Sequence, residues 1–211
     1  MLTTLDRLPW IEAPIDCMSQ LLADALAQSS AQHDHLCPRQ VLGARMGLLG
    51  ARLLGIERPN SDKRLLTFVE TDGCAADGLS AATGCTVGHR TLRVIDFGKV
   101  AATFVDMHTG EAIRIAPSRE ARELAERYAP QARSRWQAQL EAYQVMPDEE
   151  LLRVQPVQLS VSLERLLSKP GYRVSCEACG EEILNEREAI REGVILCRAC
   201  AGEGYYQIIQ A

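Results

Sequence analysis

Four cysteines near the end of the chain, Cys176, Cys179, Cys197 and Cys200, are spaced C-x2-C-x17-C-x2-C. No other feature of the sequence restricts its fold so tightly. Two residues between cysteines let one tight turn aim both sulfurs at a point. A spacer of 17 residues is enough for a hairpin or a short helix that returns the second pair. Four thiolates at about 2.3 Å make a closed tetrahedral Zn2+ site, and the metal supplies folding energy that so short a segment lacks. Gly180 after the first pair and Gly202 after the second suit knuckle turns. Two disulfides, a redox CxxC or an iron–sulfur cluster are the competing readings; the spacing favours structural zinc.

These cysteines lie in a compositional island opened by Pro170-Gly171. The chain is therefore expected to divide into a domain over residues 1–146, a connector over 147–170 and a ribbon over 171–211. The arrangement CEACGEEI…LCRAC resembles the zinc ribbon of the DksA/TraR type, over about residues 173–204. The ribbon segment carries 4 basic and 7 acidic residues, and the whole chain 23 basic against 28 acidic, a formal charge of −5. That balance argues against a charge-driven grip on nucleic acid or on an anionic membrane. Aromatics at 5% leave little for base stacking. A closed four-thiolate site also has no position for substrate, so the ribbon reads as a folding staple or docking module. No apolar run approaches the roughly 18 residues of a membrane helix, and eight cysteines in an aliphatic-rich chain fit metal thiolates in a reducing cytoplasm.

The first domain reads as α+β. Residues 17–29 carry apolar residues at helical spacing (Met18, Leu21, Leu22, Ala25, Leu26), which places Cys17 in a helix core. A second helix should start at Pro38 and run to Gly55; Gly43, Gly47 and Gly50 on related faces predict another backbone packed tightly against it. Residues 64–71, 91–97, 99–107 and 111–116 are short and rich in β-branched residues, as strands are. His108-Thr109-Gly110 reads as a hairpin turn, Gly98 as a similarly tight reversal, and 75–83 as a short helix. Residues 118–128 and 131–143 are helical, broken at Pro130. His89 and His108 are expected at solvated turns.

A second concentration of ligand-type side chains lies at His33-Asp34-His35-Leu36-Cys37-Pro38. In extended chain His33, His35 and Cys37 point the same way. A helix starting at Pro38 puts Cys37 at its N-cap, where free N–H groups and the macrodipole favour a thiolate. Cys74, at the end of a strand in the glycine-containing run Asp72-Gly73-Cys74, is placed to be the further ligand. The loop Gly84-Cys85-Thr86-Val87-Gly88 suits close approach of a ligand to backbone N–H groups, although Cys85 equally suits a small buried hydrophobe. The expected second centre is thus His33, His35, Cys37 and Cys74 around a divalent metal, with zinc suited to mixed imidazole and thiolate ligands.

The runs HDHLCPRQVLGARMG and VETDGCAADGLSAATGCTVGHRTLRVIDFGKVAATF resemble the FmdE family, named for the E component of formylmethanofuran dehydrogenase, over about residues 17–145. The family's H-x-H-x-C falls on His33, His35 and Cys37, its next cysteine on Cys74, its G-C-T-x-G on Gly84, Cys85, Thr86 and Gly88, and its D-x-G-K on Asp96, Gly98 and Lys99. Asp34 and Arg39 stand where the family usually has glycine. The resemblance implies a helix-flanked mixed sheet similar to the C-terminal domain of glyceraldehyde-phosphate dehydrogenases. It also implies association with molybdenum or tungsten enzymes, without implying that this chain performs their chemistry.

Three functions follow as expectations. The first is a zinc-binding accessory protein of a molybdenum or tungsten oxidoreductase, partnering its subunits. The second is a metal- or thiolate-dependent enzyme at His35, Cys37 and Cys74, with Cys37, Asp72 or Asp77, and Lys99 as catalytic candidates. The third, disfavoured by charge, is a zinc-ribbon regulator. The glycine-stepped helix and an open sheet edge further suggest a homodimer.

Overall fold

A computed structural model describes residues 15–31, 33, 35–56, 62–167 and 171–209. The side chain of Cys17 and the whole of Asp34 lie outside the described residues. The chain divides into two compact units, the first ending at Gln158 and the second starting at Leu159. Among the described residues no helix is long and apolar enough to cross a membrane.

The first unit opens with α1 (Ile15–Ser30), which buries Leu22, Ala25, Leu26 and Ser29 along one stripe. Next comes α2 (Pro38–Leu53), with Cys37 at its N-cap and Pro38 in its first turn. It ends as the sequence predicts at Gly55, whose φ of +65° closes the last turn. There the Ile56 N–H reaches the Ala51 carbonyl and the Gly55 N–H that of Arg52, a Schellman cap with Ile56 folded into the core.

β1 (Leu65–Val69) leads into α3 (Cys74–Thr83), followed by β2 (Leu92–Val94), β3 (Ala102–Asp106) and β4 (Ala112–Pro117). Two further helices, α4 (Ala121–Tyr128) and α5 (Arg135–Val145), flank Pro130 as expected. The sheet has the order β2-β1-β3-β4 and then β5 (Leu152–Val157); only β1 and β2 run parallel. Central β3 is buried along its whole length. The expected turn at His108–Gly110 is present, the Gly110 N–H bonding the Asp106 carbonyl at 2.8 Å.

Two expectations change here. Gly98 does not close a hairpin, because β2 and β3 flank β1 on opposite sides and the link between them passes over its end. In that link the N–H groups of both Phe97 and Lys99 bond the Glu70 carbonyl, at 2.9 and 3.0 Å. Nor does the first unit stop at residue 146: α6 (Asp148–Leu151) and β5 complete it. Asp148 ties this segment back to α2 through Arg45 and Arg52, at 2.7 and 2.6 Å. The sequence hides β5 because Pro156 interrupts its pattern, and proline is tolerated in an edge strand, where one row of N–H groups has no ladder partner.

The glycines of α2 are used within the chain. A Cβ on Gly43 would lie 2.1 Å from the Ala75 carbonyl oxygen, and one on Gly78 2.0 Å from that of Gln40. One on Gly47 would meet Ala82 and Thr83, and one on Gly50 the Phe104 ring at 2.5 Å. Contacts advance along α2 and α3 in the same direction, so the two helices run parallel with backbones in near contact. Their N-termini, Cys37 and Cys74, therefore share one end.

The second unit contains α7 (Leu163–Leu167) and two hairpins, β6 (Arg173–Ser175) with β7 (Glu182–Leu184), and β8 (Ala189–Arg191) with β9 (Val194–Leu196). Glu192 and Gly193, at φ +51° and +84°, form the two-residue turn joining β8 to β9. A helical turn, Ala199–Glu203, carries Cys200.

Candidate metal centres

Each hairpin of the second unit delivers one cysteine pair. Cys176 follows β6 and Cys197 follows β9. The Cys176 backbone is pinned by its N–H to the Glu181 carbonyl and by its own carbonyl to the Gly180 N–H, at 2.9 and 2.8 Å. The Glu177 carboxylate accepts from the Ile195 N–H at 2.8 Å, holding one knuckle to the strand that feeds the other. The four sulfurs lie within 4.8 Å of one another, and those of Cys179 and Cys197 are 4.0 Å apart. A tetrahedron with arms of about 2.3 Å has edges of about 3.8 Å, so the group fits Zn2+.

The surrounding backbone is already arranged for thiolates. The Cys197 N–H points at the Cys176 sulfur at 3.2 Å and the Cys200 N–H at the Cys197 sulfur at 3.4 Å. Backbone N–H groups, that of Cys197 first, lower the Cys176 thiol to about 6, and burial opposes them. The Cys197 sulfur, then those of Cys179 and Cys176, push Cys200 up to about 12. Without a cation the second and later charges repel the first; a divalent ion removes that penalty.

In the first unit two of the four expected ligands, Cys37 and Cys74, are neighbours. Cys37 is buried, and its N–H is held by the Gln40 side-chain oxygen at 2.7 Å. Gln40 in turn donates to the Ser29 hydroxyl at 3.0 Å, fastening this helix start to α1. Cys74, half-buried, is the neighbour of Cys37: burial first, then the Cys37 sulfur, raises its thiol above the usual range, and the Arg39 cation opposes. His33 bonds Asp77 through Nε2 at 2.7 Å, and His35 is exposed. Among the described residues, the ribbon cysteines form the group of three or more potential ligands within 4.8 Å; His33, His35, Cys37 and Cys74 are not gathered to that spacing.

The remaining candidates are spread over the first unit. Asp72 and Gly73 are exposed at the turn before α3. Gly84, at φ +65°, caps α3. Cys85 is fully buried, between the Thr67 hydroxyl and the Leu65 carbonyl at 3.5 and 3.4 Å. Thr86 bonds the Thr91 hydroxyl through its N–H at 3.0 Å and Gly88 is exposed beside it, so residues 84–88 form a fastened corner. Lys99 is exposed, its amine 5.8 Å above the Phe97 ring. His89 and His108 are exposed or half-exposed at turns. Sequence reasoning missed the pairing of Asp77 with His33. The signal was present: Asp77 lies three residues after Cys74 in a predicted helix and so shares its face.

An α+β unit with two thiols at paired helix starts, together with a separate four-cysteine ribbon, defines the class of protein. Residues 32–153 match the family described as "FmdE, Molybdenum formylmethanofuran dehydrogenase operon", and the chain belongs to this family. Residues 170–206 match the prokaryotic dksA/traR C4-type zinc finger. The chain is 29% identical, over 214 aligned positions, to a protein of Archaeoglobus fulgidus named "Probable S-adenosyl-L-methionine-binding protein". That alignment covers 89% of this chain and 55% of the archaeal protein, so the chain spans about half the length of this relative. The fold is similar to the crystal structure of a "tungsten formylmethanofuran dehydrogenase subunit e (fmde)-like protein" from Syntrophus aciditrophicus. The TM-score is 0.57 at 21% identity, covering 88% of this chain and 95% of that one.

Proposed function

We propose that the protein is a zinc-bearing accessory protein serving the function or assembly of a cytoplasmic molybdenum or tungsten oxidoreductase. In this reading a second divalent metal, zinc, is held in the first unit by Cys37 and Cys74 with imidazole from His33 or His35. The observation that carries it is the meeting of two thiols, from segments far apart in sequence, at the common start of two closely packed helices. The family description and the name of the Syntrophus protein support the oxidoreductase context.

Elemental analysis tests the metal content. The native chain should carry two zinc equivalents; Cys37→Ala should lose one and Cys179→Ser the other. The accessory role is tested by co-purification of the tagged chain with the subunits of its host's molybdenum or tungsten oxidoreductase, whose absence would overturn it. A homodimer, if formed, must use a surface other than the glycine steps of α2, which α3 and Phe104 occupy; light scattering against the 23.2 kDa chain mass decides its existence.

A second reading is small-molecule binding in a cavity of about 330 Å3 walled by Leu22, Leu48 and Leu49 and edged by Arg45, Arg52 and Asp148. Its size is at the lower end for ligand sites, and both guanidinium groups at its edge are already paired with Asp148, Arg45 also donating to the Tyr143 and Met146 carbonyls. The name of the archaeal relative makes S-adenosylmethionine the first ligand to try, by equilibrium dialysis with Arg52→Gln as the control.

A further inference from the structure

We propose that β2 is a pairing edge for a second copy of the chain. Two first units join by antiparallel β2–β2 pairing across a two-fold axis, with Val94 opposite Val94 of the partner subunit, and their sheets continue into one.

β2 stands at one end of the sheet order, and its far side has no strand partner among the described residues. Its bonds to β1 come from alternate residues. The Thr91 carbonyl accepts from the Thr67 N–H at 2.8 Å, and the Ile95 N–H reaches the Val69 carbonyl at 2.9 Å. In a parallel ladder the residues between such positions turn their backbone groups the other way, so the N–H and C=O of Val94 face outward. Leu92 also faces outward but gives its N–H to the Thr86 carbonyl at 3.1 Å, and the open stretch begins beyond it. Residues 94–99 are all exposed. Val94 and Ile95 are 43% and 44% exposed, Phe97 63%, and Val87, in the corner that holds Leu92, 64%. These are four of the seven large apolar side chains exposed in the described part of the first unit, and they gather along one edge.

The opposite edge of the sheet is protected. β5 carries Pro156, which has no N–H to offer, and the exposed Arg153. β2 has no proline and presents valine and isoleucine, the kind of edge that pairs with another strand. The strand that fits it is its own copy. Val94 offers one outward donor and one outward acceptor, and a two-fold rotation sets each against its complement, so the two residues exchange both bonds. The same rotation brings the Phe97 end of each strand to the Thr86–Leu92 corner of the other, where Val87 is exposed, so apolar surface meets apolar surface. The edge is short, which places the contact among small interfaces with micromolar dissociation constants.

The test is sedimentation velocity on the full zinc-loaded chain, from micromolar to sub-millimolar concentration. The native chain should pass from a 23.2 kDa monomer to a dimer. Val94→Lys sets two cations directly opposite each other and Val94→Glu two anions, so each variant alone should stay monomeric. An equimolar mixture of the two should recover the dimer, because residue 94 meets itself only in the symmetric pairing. Val94→Pro removes the outward N–H and none of the bonds to β1. It should weaken dimerisation by about 10–100-fold, the effect of two lost interchain hydrogen bonds. Trp136→Lys, at an exposed position on α5, should change nothing. If a single variant is poorly folded the mixture still decides, since two misfolded chains do not regain a dimer on mixing. The proposal is overturned if the native chain stays monomeric throughout, if the Val94 variants dimerise as the native chain does, or if the Lys and Glu variants remain monomeric together.

Discussion

The two thiol-rich regions reach their sulfurs by opposite routes. In the ribbon, hairpin turns within a few residues of each cysteine aim every sulfur, and the spacing of the chain alone implies the site. In the first unit, Cys37 and Cys74 meet only because α2 and α3 run parallel with glycine at their contacts, so an error in packing removes the site. The difference is one of contact order and of what the metal does. The ribbon is a short segment for which metal binding is folding. The first unit has its own core, including Met46, Leu49, Leu65 and Phe104, and its thiols ride on a scaffold that stands without them.

Breaking the ribbon should give the largest effect. Cys179→Ser should release one zinc equivalent and unfold residues 171–209, because structural zinc contributes about 10–16 kcal/mol in such segments. Hydrogen exchange should show the first unit still protected; simultaneous loss of both units would contradict their independence.

The packing of α2 on α3 comes next. Gly78→Ala drives a Cβ to 2.0 Å from a backbone oxygen that cannot swing aside. Overpacking costs about 1–3 kcal/mol, and the upper end is expected here. Denaturant titration should show the first unit weakened, with ribbon zinc unchanged. A neutral result would mean that the two helix starts are not held as described.

A smaller, pH-dependent effect separates the units further. The Arg64 guanidinium holds the Asp106 carboxyl down from 3.8 to about 2, against the opposing effect of burial. A depressed carboxyl contributes stability that is complete above the unfolded value and lost as pH falls through the folded one. The contribution, about 2 kcal/mol, is therefore present above about pH 4 and lost by about pH 2. Asp106→Asn should lose it at neutral pH and flatten the acid limb of the first unit's stability between those values. An unchanged pH profile would refute the pairing.

The smallest change sharpens what counts as a site cysteine. Cys85→Ala should cost the first unit about 1 kcal/mol, as small truncations in a core do, and leave both metal equivalents in place. Loss of metal would make Cys85 a ligand after all.

Much of the fold was legible locally. Pro38 and Gly55 bound α2 because helix ends have chemical requirements that single residues meet, and the turn at His108–Gly110 marks the β3–β4 hairpin for the same reason. The strand β5 was not legible, since an edge strand interrupted by proline gives no periodic signal and is defined by its partner β4. Gly43, Gly47 and Gly50 announced a close neighbour, but not that it would be α3 and Phe104 of the same chain instead of a second copy.

By itself the sequence determined the four-cysteine ribbon, the α+β class and the family, because each depends on spacing or periodicity over short stretches. Only the tertiary structure decided which of the other cysteines meet, which histidine receives a carboxylate and where the first unit ends. Each of those depends on contacts between residues tens of positions apart, and such contacts are set by how helices and strands pack and not by the order of residues within any one of them.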